Sequence, residues 1–116
     1  MKNNCSTEEN KEVIFTKKGE KEIIKIFESN LNNNICIQIS KVNDNENNNY
    51  AEIDLESLQN KSKIFKICDS PKEAIEIFSN YINQNKYTIK DINDKKMILT
   101  LQVILMEKKK ILNLNL

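Results

Sequence analysis

The sequence predicts an α+β fold in which an antiparallel β-sandwich or barrel-like head carries a helical hairpin. Apolar and polar residues alternate over most of residues 12–55 and again over 86–116, which is the period of a half-buried strand. Between these regions the apolar spacing changes to three and four residues, the period of a helix. The predicted order is a four-strand meander, two helices and three closing strands.

The first half supplies the meander. Residues 12–16 (EVIFT) are β-branched and aromatic and predict a strand, after which Gly19 supplies the positive φ of a tight hairpin turn. Residues 21–30 fit a strand through their isoleucines, although their Glu and Lys content also allows a helix. We favour the strand. Isoleucine at every second position predicts a further strand over 35–40.

An asparagine-rich segment separates the third and fourth strands. Residues 41–49 (KVNDNENNN) predict a loop, with disordered low-complexity sequence as the alternative. Alternation resumes over 50–55 (YAEIDL) and predicts the fourth strand.

Two helices are predicted next. An apolar stripe predicts a first helix over residues 56–66, and the second begins at a capping box. Ser70 can accept a hydrogen bond from the backbone N–H of Glu73, whose carboxylate reaches back, and Pro71 suits the first helical position. The buried stripe of this helix is predicted to comprise Ala74, Ile75, Ile77, Phe78, Tyr81 and Ile82.

The closing region predicts three strands. The first covers residues 86–92, and the second, MILTLQVILM (97–106), is apolar enough to suggest burial on both faces. A turn over 107–110 (EKKK) leads to the last strand over 111–116. Because that strand runs to the final residue, we expect the chain to be a fragment of a longer protein. Residues 1–11 are polar and predict a flexible tail before a single domain over 12–116.

Composition argues against catalysis. The chain has no histidine and one glycine, which excludes histidine-based acid–base chemistry and a glycine-rich phosphate loop. The carboxylates of Glu52 and Asp54 are expected to be solvated. Cys68 is not expected to be a reactive thiol, because the neighbouring carboxylate of Asp69 raises a thiol pKa. We therefore expect no enzyme activity and no cofactor.

The cysteines indicate a reducing compartment. Cys5, Cys36 and Cys68 are odd in number and widely spaced, which fits neither a disulfide framework nor a zinc site. Residues 1–13 lack the apolar core of a signal peptide. The expected location is the cytoplasm.

Lysine supplies all 18 positive charges, and the formal net charge is +1. The basic turn 108–110 and the group Lys61, Lys63 and Lys66 could each contact phosphate. No arginine or aromatic stacking platform accompanies them, so solvated surfaces are the simpler interpretation and nucleic acid is not expected as a partner.

Two stretches resemble a known superfamily. Residues 35–59 (ICIQISKVNDNENNNYAEIDLESLQ) and 64–82 (IFKICDSPKEAIEIFSNYI) are similar to the globular head of the DNA end-joining scaffolds and the centriolar cartwheel proteins. The cartwheel head is the closer of the two. The resemblance covers about residues 12–116 and implies a non-enzymatic scaffold head that self-associates, for example as a homodimer. It also implies a cytoskeletal location and a coiled coil beyond the head.

The resemblance also places the interface. Cartwheel heads pair through a bulky apolar residue in the loop before the long apolar strand, and that position falls here on Lys95 or Lys96. A lysine cannot make that plug, so ring formation is not expected from it. The other candidate contacts, on the more polar face of the long strand, are Ile98, Ile104 and Met106. A DNA end-joining type of scaffold and a small structural subunit of a larger complex are the alternative functions.

Overall fold

A computed structural model describes residues 13–29, 32–42, 44–93 and 96–116. The first sheet contains β1 (Val13–Lys18), β2 (Glu22–Glu28), β3 (Ile35–Lys41) and β4 (Asp44–Ile53). The helical region contains α1 (Leu55–Lys61), a 3₁₀ turn (Lys63–Phe65) and α2 (Pro71–Asn83). The second sheet contains β5 (Tyr87–Asn93), β6 (Lys96–Leu105) and β7 (Lys108–Asn115). Both sheets are antiparallel with strands in sequence order, so the predicted α+β class and strand order are confirmed.

The β2 segment is a strand, as predicted. Ile24 and Ile26 are buried and pair with isoleucines of β3, whereas Lys25 between them is exposed. This inside–outside alternation buries the isoleucines on one face and outweighs the helix propensity of the Glu and Lys residues.

The loop prediction for residues 41–49 is wrong over most of its length. β4 starts at Asp44, directly opposite Lys41, and Asn48 pairs with Ser40. In the described sheet β4 is an edge strand, and its order comes from backbone hydrogen bonds to β3. An edge strand does not need two buried faces, so exposed polar residues such as Asn48 are tolerated there.

The prediction for Gly19 is also wrong. Gly19 does not have a positive φ; its N–H donates to the carbonyl oxygen of Glu22 at 2.8 Å and closes the turn between β1 and β2. A Cβ at this position would lie 3.3 Å from the same oxygen, which is a tight contact. Among the described residues, positive φ values occur instead at Asn33, Asn85, Met106 and Glu107.

The predicted first helix is divided in two. α1 ends where the N–H of Ser62 bonds to the carbonyl of Leu58, and Ser62 itself is extended, with φ −150° and ψ 133°. The chain then winds tightly through the 3₁₀ turn, which buries Ile64 and Phe65. A continuous helix over 56–66 is therefore wrong, although its apolar residues reach the core.

The capped start of α2 is confirmed with one change. Ser70 Oγ accepts from the N–H of Glu73 at 3.3 Å, and Pro71 occupies the first turn. The carboxylate of Glu73 accepts from the N–H of Asp69, one residue before the cap, rather than from Ser70. Two side-chain-to-backbone hydrogen bonds that run in opposite directions therefore still close the start of the helix.

One cluster of buried residues connects both sheets with the helical region. Strands of both sheets, α1, the 3₁₀ turn and α2 all contribute to it, and α2 contacts β1, β2 and β6. Burial on both faces of β6 is wrong: Leu99, Leu101 and Val103 are buried, whereas Gln102 and Ile104 between and beyond them are exposed. The core covers one face of this strand, so Ile104 on the other face lies at the surface.

Candidate interaction surface

The β6–β7 hairpin ends in a two-residue turn. Leu105 pairs with Lys108, and the turn residues Met106 and Glu107 have φ values of 54° and 65°. Two positive φ values define a type I′ turn, whose twist matches that of the flanking strands. The turn predicted over 107–110 is therefore misplaced, and Lys108, Lys109 and Lys110 belong to β7.

A cleft of about 630 Å³ lies between this hairpin and the segment from the end of α1 through the 3₁₀ turn. We call it the basic cleft. Its charged lining consists of Lys61, Lys63, Lys66, Lys108 and Lys110. Its apolar lining consists of Ile64, Val103, Met106 and Ile111, and its neutral polar lining of Gln59, Asn60 and Ser62. No acidic side chain is among these described lining residues.

Strand geometry explains why the lysines of β7 reach the basic cleft. Leu112 and Leu114 are buried, and side chains two residues apart share a face of a strand. Lys110 and Lys108 therefore continue the same face beyond the end of the core, with Lys110 opposite Val103. The opposite wall is supplied by lysines at the end of α1 and in and after the 3₁₀ turn.

A hydrogen-bonded side chain fixes that opposite wall. Gln59 Nε2 donates to the carbonyl oxygens of Phe65 at 3.2 Å and Cys68 at 3.0 Å. It thereby ties α1 to the chain on the far side of the 3₁₀ turn. The backbone that carries Lys61, Lys63 and Lys66 is held at both ends.

A second cleft, of about 440 Å³, adjoins the first. We call it the apolar cleft. It shares Lys63 and Ile64 with the basic cleft, and its own lining includes Ile67, Ile77, Tyr81 and Ile104. The end of β6 thus contributes Ile104 to the apolar cleft, and the turn after it contributes Met106 to the basic cleft. The two clefts form one continuous surface.

The structure separates the predicted interface residues. Lys95 lies outside the described residues, and Lys96 is exposed at the start of β6. Ile98 is half-buried on the same strand and lines neither cleft. Ile104 lies near the opposite end of β6 and lines the apolar cleft, and Met106 lies in the turn that follows and lines the basic cleft.

The sequence identified the two lysine groups but did not show that they lie close together. The two groups are more than 40 residues apart in the chain, and five of the six lysines line the basic cleft. The alternation of buried leucines in β7, extended backwards by two steps, is the pattern that would have placed Lys110 and Lys108 on the inner side. Nothing in the sequence places the 3₁₀ turn opposite them.

The carboxylates of Glu52 and Asp54 have structural partners. Glu52 accepts from the Tyr50 hydroxyl at 2.7 Å and from Asn34 Nδ2 at 2.9 Å, and these hydrogen bonds lower the pKa of Glu52 despite the opposing effect of burial. Asp54 caps α1 by accepting from the hydroxyl and the N–H of Ser57, which lowers the pKa of Asp54. In both residues the hydrogen bonds stabilise the charged carboxylate, so neither has the raised pKa of a general acid.

The thiol of Cys68 is buried in the core. Burial raises its pKa, and the negative charges of Glu73 and Asp69 raise it further. The expected direction is confirmed, with burial as the larger cause. A thiol of this kind is a poor nucleophile at neutral pH because little thiolate is present.

Within the described ranges, His, Cys, Asp and Glu side chains form no group of three or more that could hold a metal ion. No helix in the part of the chain that the structure describes has the length and apolar character required to cross a membrane. Comparisons with protein-family models, with curated protein sequences and with solved structures found no match.

Proposed function

We propose that this chain is a non-enzymatic scaffold head of an assembly protein, and that it associates with a protein partner, including a second copy of itself, at the turn end of β6. The observation that carries this proposal is the exposure of Ile104 and Met106, whose side chains are 45% and 86% accessible. Both border clefts that are themselves partly apolar. Exposed apolar area of this kind stabilises a complex when a partner covers it, by about 25 cal/mol per Å².

The proposal extends to architecture and location. A sandwich-like arrangement of the two sheets with the helical region packed as a hairpin across it, as in the centriolar cartwheel heads, is supported by the shared buried cluster and by the contacts of α2 with strands of both sheets. The corresponding location is the cytoplasm, in association with a cytoskeletal assembly. The end-joining scaffolds supply the alternative within the same superfamily.

Light scattering coupled to size-exclusion chromatography tests self-association. The measured mass is expected to rise with protein concentration, and the double variant Ile104→Ser/Met106→Ser is expected to remain monomeric. Ile92→Ser is the matched control, because Ile92 is 44% exposed, almost the same as Ile104, but lines neither cleft. A mass that stays at the monomer value at every concentration, or that rises equally in the double variant, contradicts this mode of association.

A nucleic-acid-linked scaffold is the second candidate. The convergence of five lysines on one cleft favours it, because clustered lysines can bind phosphate groups. Binding to a short DNA duplex is then expected to weaken steeply as salt is raised. No measurable binding at low salt would remove this candidate.

A further inference from the structure

We propose that the basic cleft binds an acidic peptide segment that also carries large apolar side chains. This inference rests on the proposed function, since it names the chemistry of the partner that the surface at the end of β6 recognises. The occupant is a peptide of another chain, with carboxylates on the lysine rim and an apolar side chain against the cleft floor.

The charge distribution selects an anionic partner. The whole chain is nearly neutral, with 18 lysines against 17 acidic residues. The basic cleft nevertheless has five lysines and no acidic residue among its described lining residues. This local excess of positive charge is not balanced within the cleft, so it attracts negatively charged segments and repels basic ones.

The lysines select a negatively charged partner, and the apolar lining of the cleft additionally selects one that carries large apolar side chains. Met106 and Ile111 are 86% and 71% exposed, and they border the cleft together with the more buried Ile64 and Val103. A simple anion would leave these groups in contact with water. A leucine, phenylalanine or similar side chain would cover them, and the flexible thioether of Met106 can adapt to different shapes.

The same lining favours a peptide over a nucleic acid. None of the described residues around the basic cleft is aromatic, so no ring is available for stacking on bases, and all its cations are lysines rather than bidentate arginines. The volume of about 630 Å³ is sufficient for several side chains. The hydrogen bonds of Gln59 restrain the backbone that carries three of the five lysines, which reduces the cost of ordering that backbone on binding.

Fluorescence anisotropy with four labelled probes tests the proposal. The first is a short synthetic peptide in which glutamates alternate with leucine and phenylalanine. The second replaces the apolar residues with serine, the third replaces the glutamates with glutamine, and the fourth is a single-stranded oligonucleotide of the same net charge. The first peptide is expected to bind best, and its affinity is expected to fall as salt approaches about 0.15 M and beyond.

Two variants with equal charge change locate the site. Lys108→Glu/Lys110→Glu is expected to weaken binding of the first peptide by about tenfold or more, since two attractions become repulsions. Lys25→Glu/Lys90→Glu changes the net charge equally at exposed positions outside the cleft and is expected to have much less effect. Circular dichroism of both variants checks that they are folded.

The outcomes separate this inference from the proposed function. Equal losses in both double variants, equal binding of the serine-substituted peptide, or tighter binding of the oligonucleotide would each overturn the acidic-peptide assignment. Concentration-dependent self-association that persists in Lys108→Glu/Lys110→Glu would leave the scaffold proposal standing when peptide binding fails. Loss of self-association in Ile104→Ser/Met106→Ser tests the scaffold proposal independently of the charge on the cleft.

Discussion

The ring centroid of Phe65, in the 3₁₀ turn, lies 5.1 Å from the ring centroid of Phe78 in α2, and the two ring planes make an angle of 35°. Both side chains are fully buried. This tilted pair anchors to α2 the turn that carries Lys63 and Ile64, the two residues common to both clefts. The surface proposed to bind a partner is therefore positioned by a contact within the core.

Removing this contact should be costly. Phe65→Ala is expected to lower the free energy of unfolding by about 3–5 kcal/mol, because it creates a cavity and loses the ring contact. Urea denaturation followed by circular dichroism measures the change. Ile67→Ala, two residues later at a side chain that is 80% exposed, should change stability by about 0.5 kcal/mol or less. Similar losses in the two variants would show that the Phe65 ring does not anchor the turn.

The type I′ turn predicts a stabilising substitution. Glu107 has a φ of 65°, a conformation that costs a residue with a Cβ about 1 kcal/mol. Glu107→Gly is expected to raise the free energy of unfolding by a similar amount, about 1 kcal/mol. Glu107→Ala is the control, because it removes the carboxylate but keeps the Cβ. Thermal unfolding of the two variants should therefore differ, and equal midpoints would argue against the left-handed geometry.

Lys17 of β1 caps α2 from outside the helix. Its Nζ donates to the carbonyl oxygen of Ile82 at 3.3 Å and to Asn85 Oδ1 at 3.0 Å. A cation at the carboxyl end of a helix is stabilising, so Lys17→Met should cost about 0.3–1 kcal/mol, with a smaller loss at high salt. Chemical denaturation at two salt concentrations measures this. Lys18→Met, at the exposed neighbouring position, should have little effect; a loss that does not depend on salt would point to packing instead.

The hydrogen bond from Tyr50 predicts a change in acid titration. It is the largest of the effects that lower the pKa of Glu52, so Tyr50→Phe should raise that pKa towards its ordinary value. Carboxyl carbon chemical shifts recorded against pH report the value directly. Tyr81→Phe, which removes a hydroxyl elsewhere, should leave it unchanged.

The sign of the stability effect follows from the same shift. A pKa that is lower in the folded state than in the unfolded state means that Glu52 contributes stability above the unfolded pKa. This contribution is lost as pH falls through the folded pKa. Tyr50→Phe should therefore make stability less dependent on pH in this acidic range. An unchanged pH dependence would show that the hydroxyl does not favour the charged carboxylate.

Sequence patterns predicted the elements that are determined by residues close to one another in the chain. The cap of α2 is an interaction among neighbouring residues, and the isoleucine alternation of β3 is repeated at every second position, so both could be read directly. The extent of β4 could not be predicted in this way. Its asparagines have low strand propensity, and their order comes from pairing with β3.

The candidate site depends on tertiary structure in a similar way. Exposure of Ile104 follows from which face of β6 the core covers, and a purely apolar run does not reveal that face. The break at Ser62 turns the chain so that Lys61, Lys63 and Lys66 meet β7, and no glycine or proline marks that break. Sequence reasoning therefore identified the residue types of the site but not their arrangement.

The pairing of Leu116 with Met97 has a practical consequence. Leu116 both donates to and accepts from the backbone of Met97, which lies next to the first residue of β6. Because β6 has ten residues and a strand rises about 3.3 Å per residue, its opposite end, where Met106 follows, is about 30 Å away. A fluorophore, affinity handle or immobilising linker fused after Leu116 would therefore emerge on the side remote from both clefts, leaving them open to probes in solution.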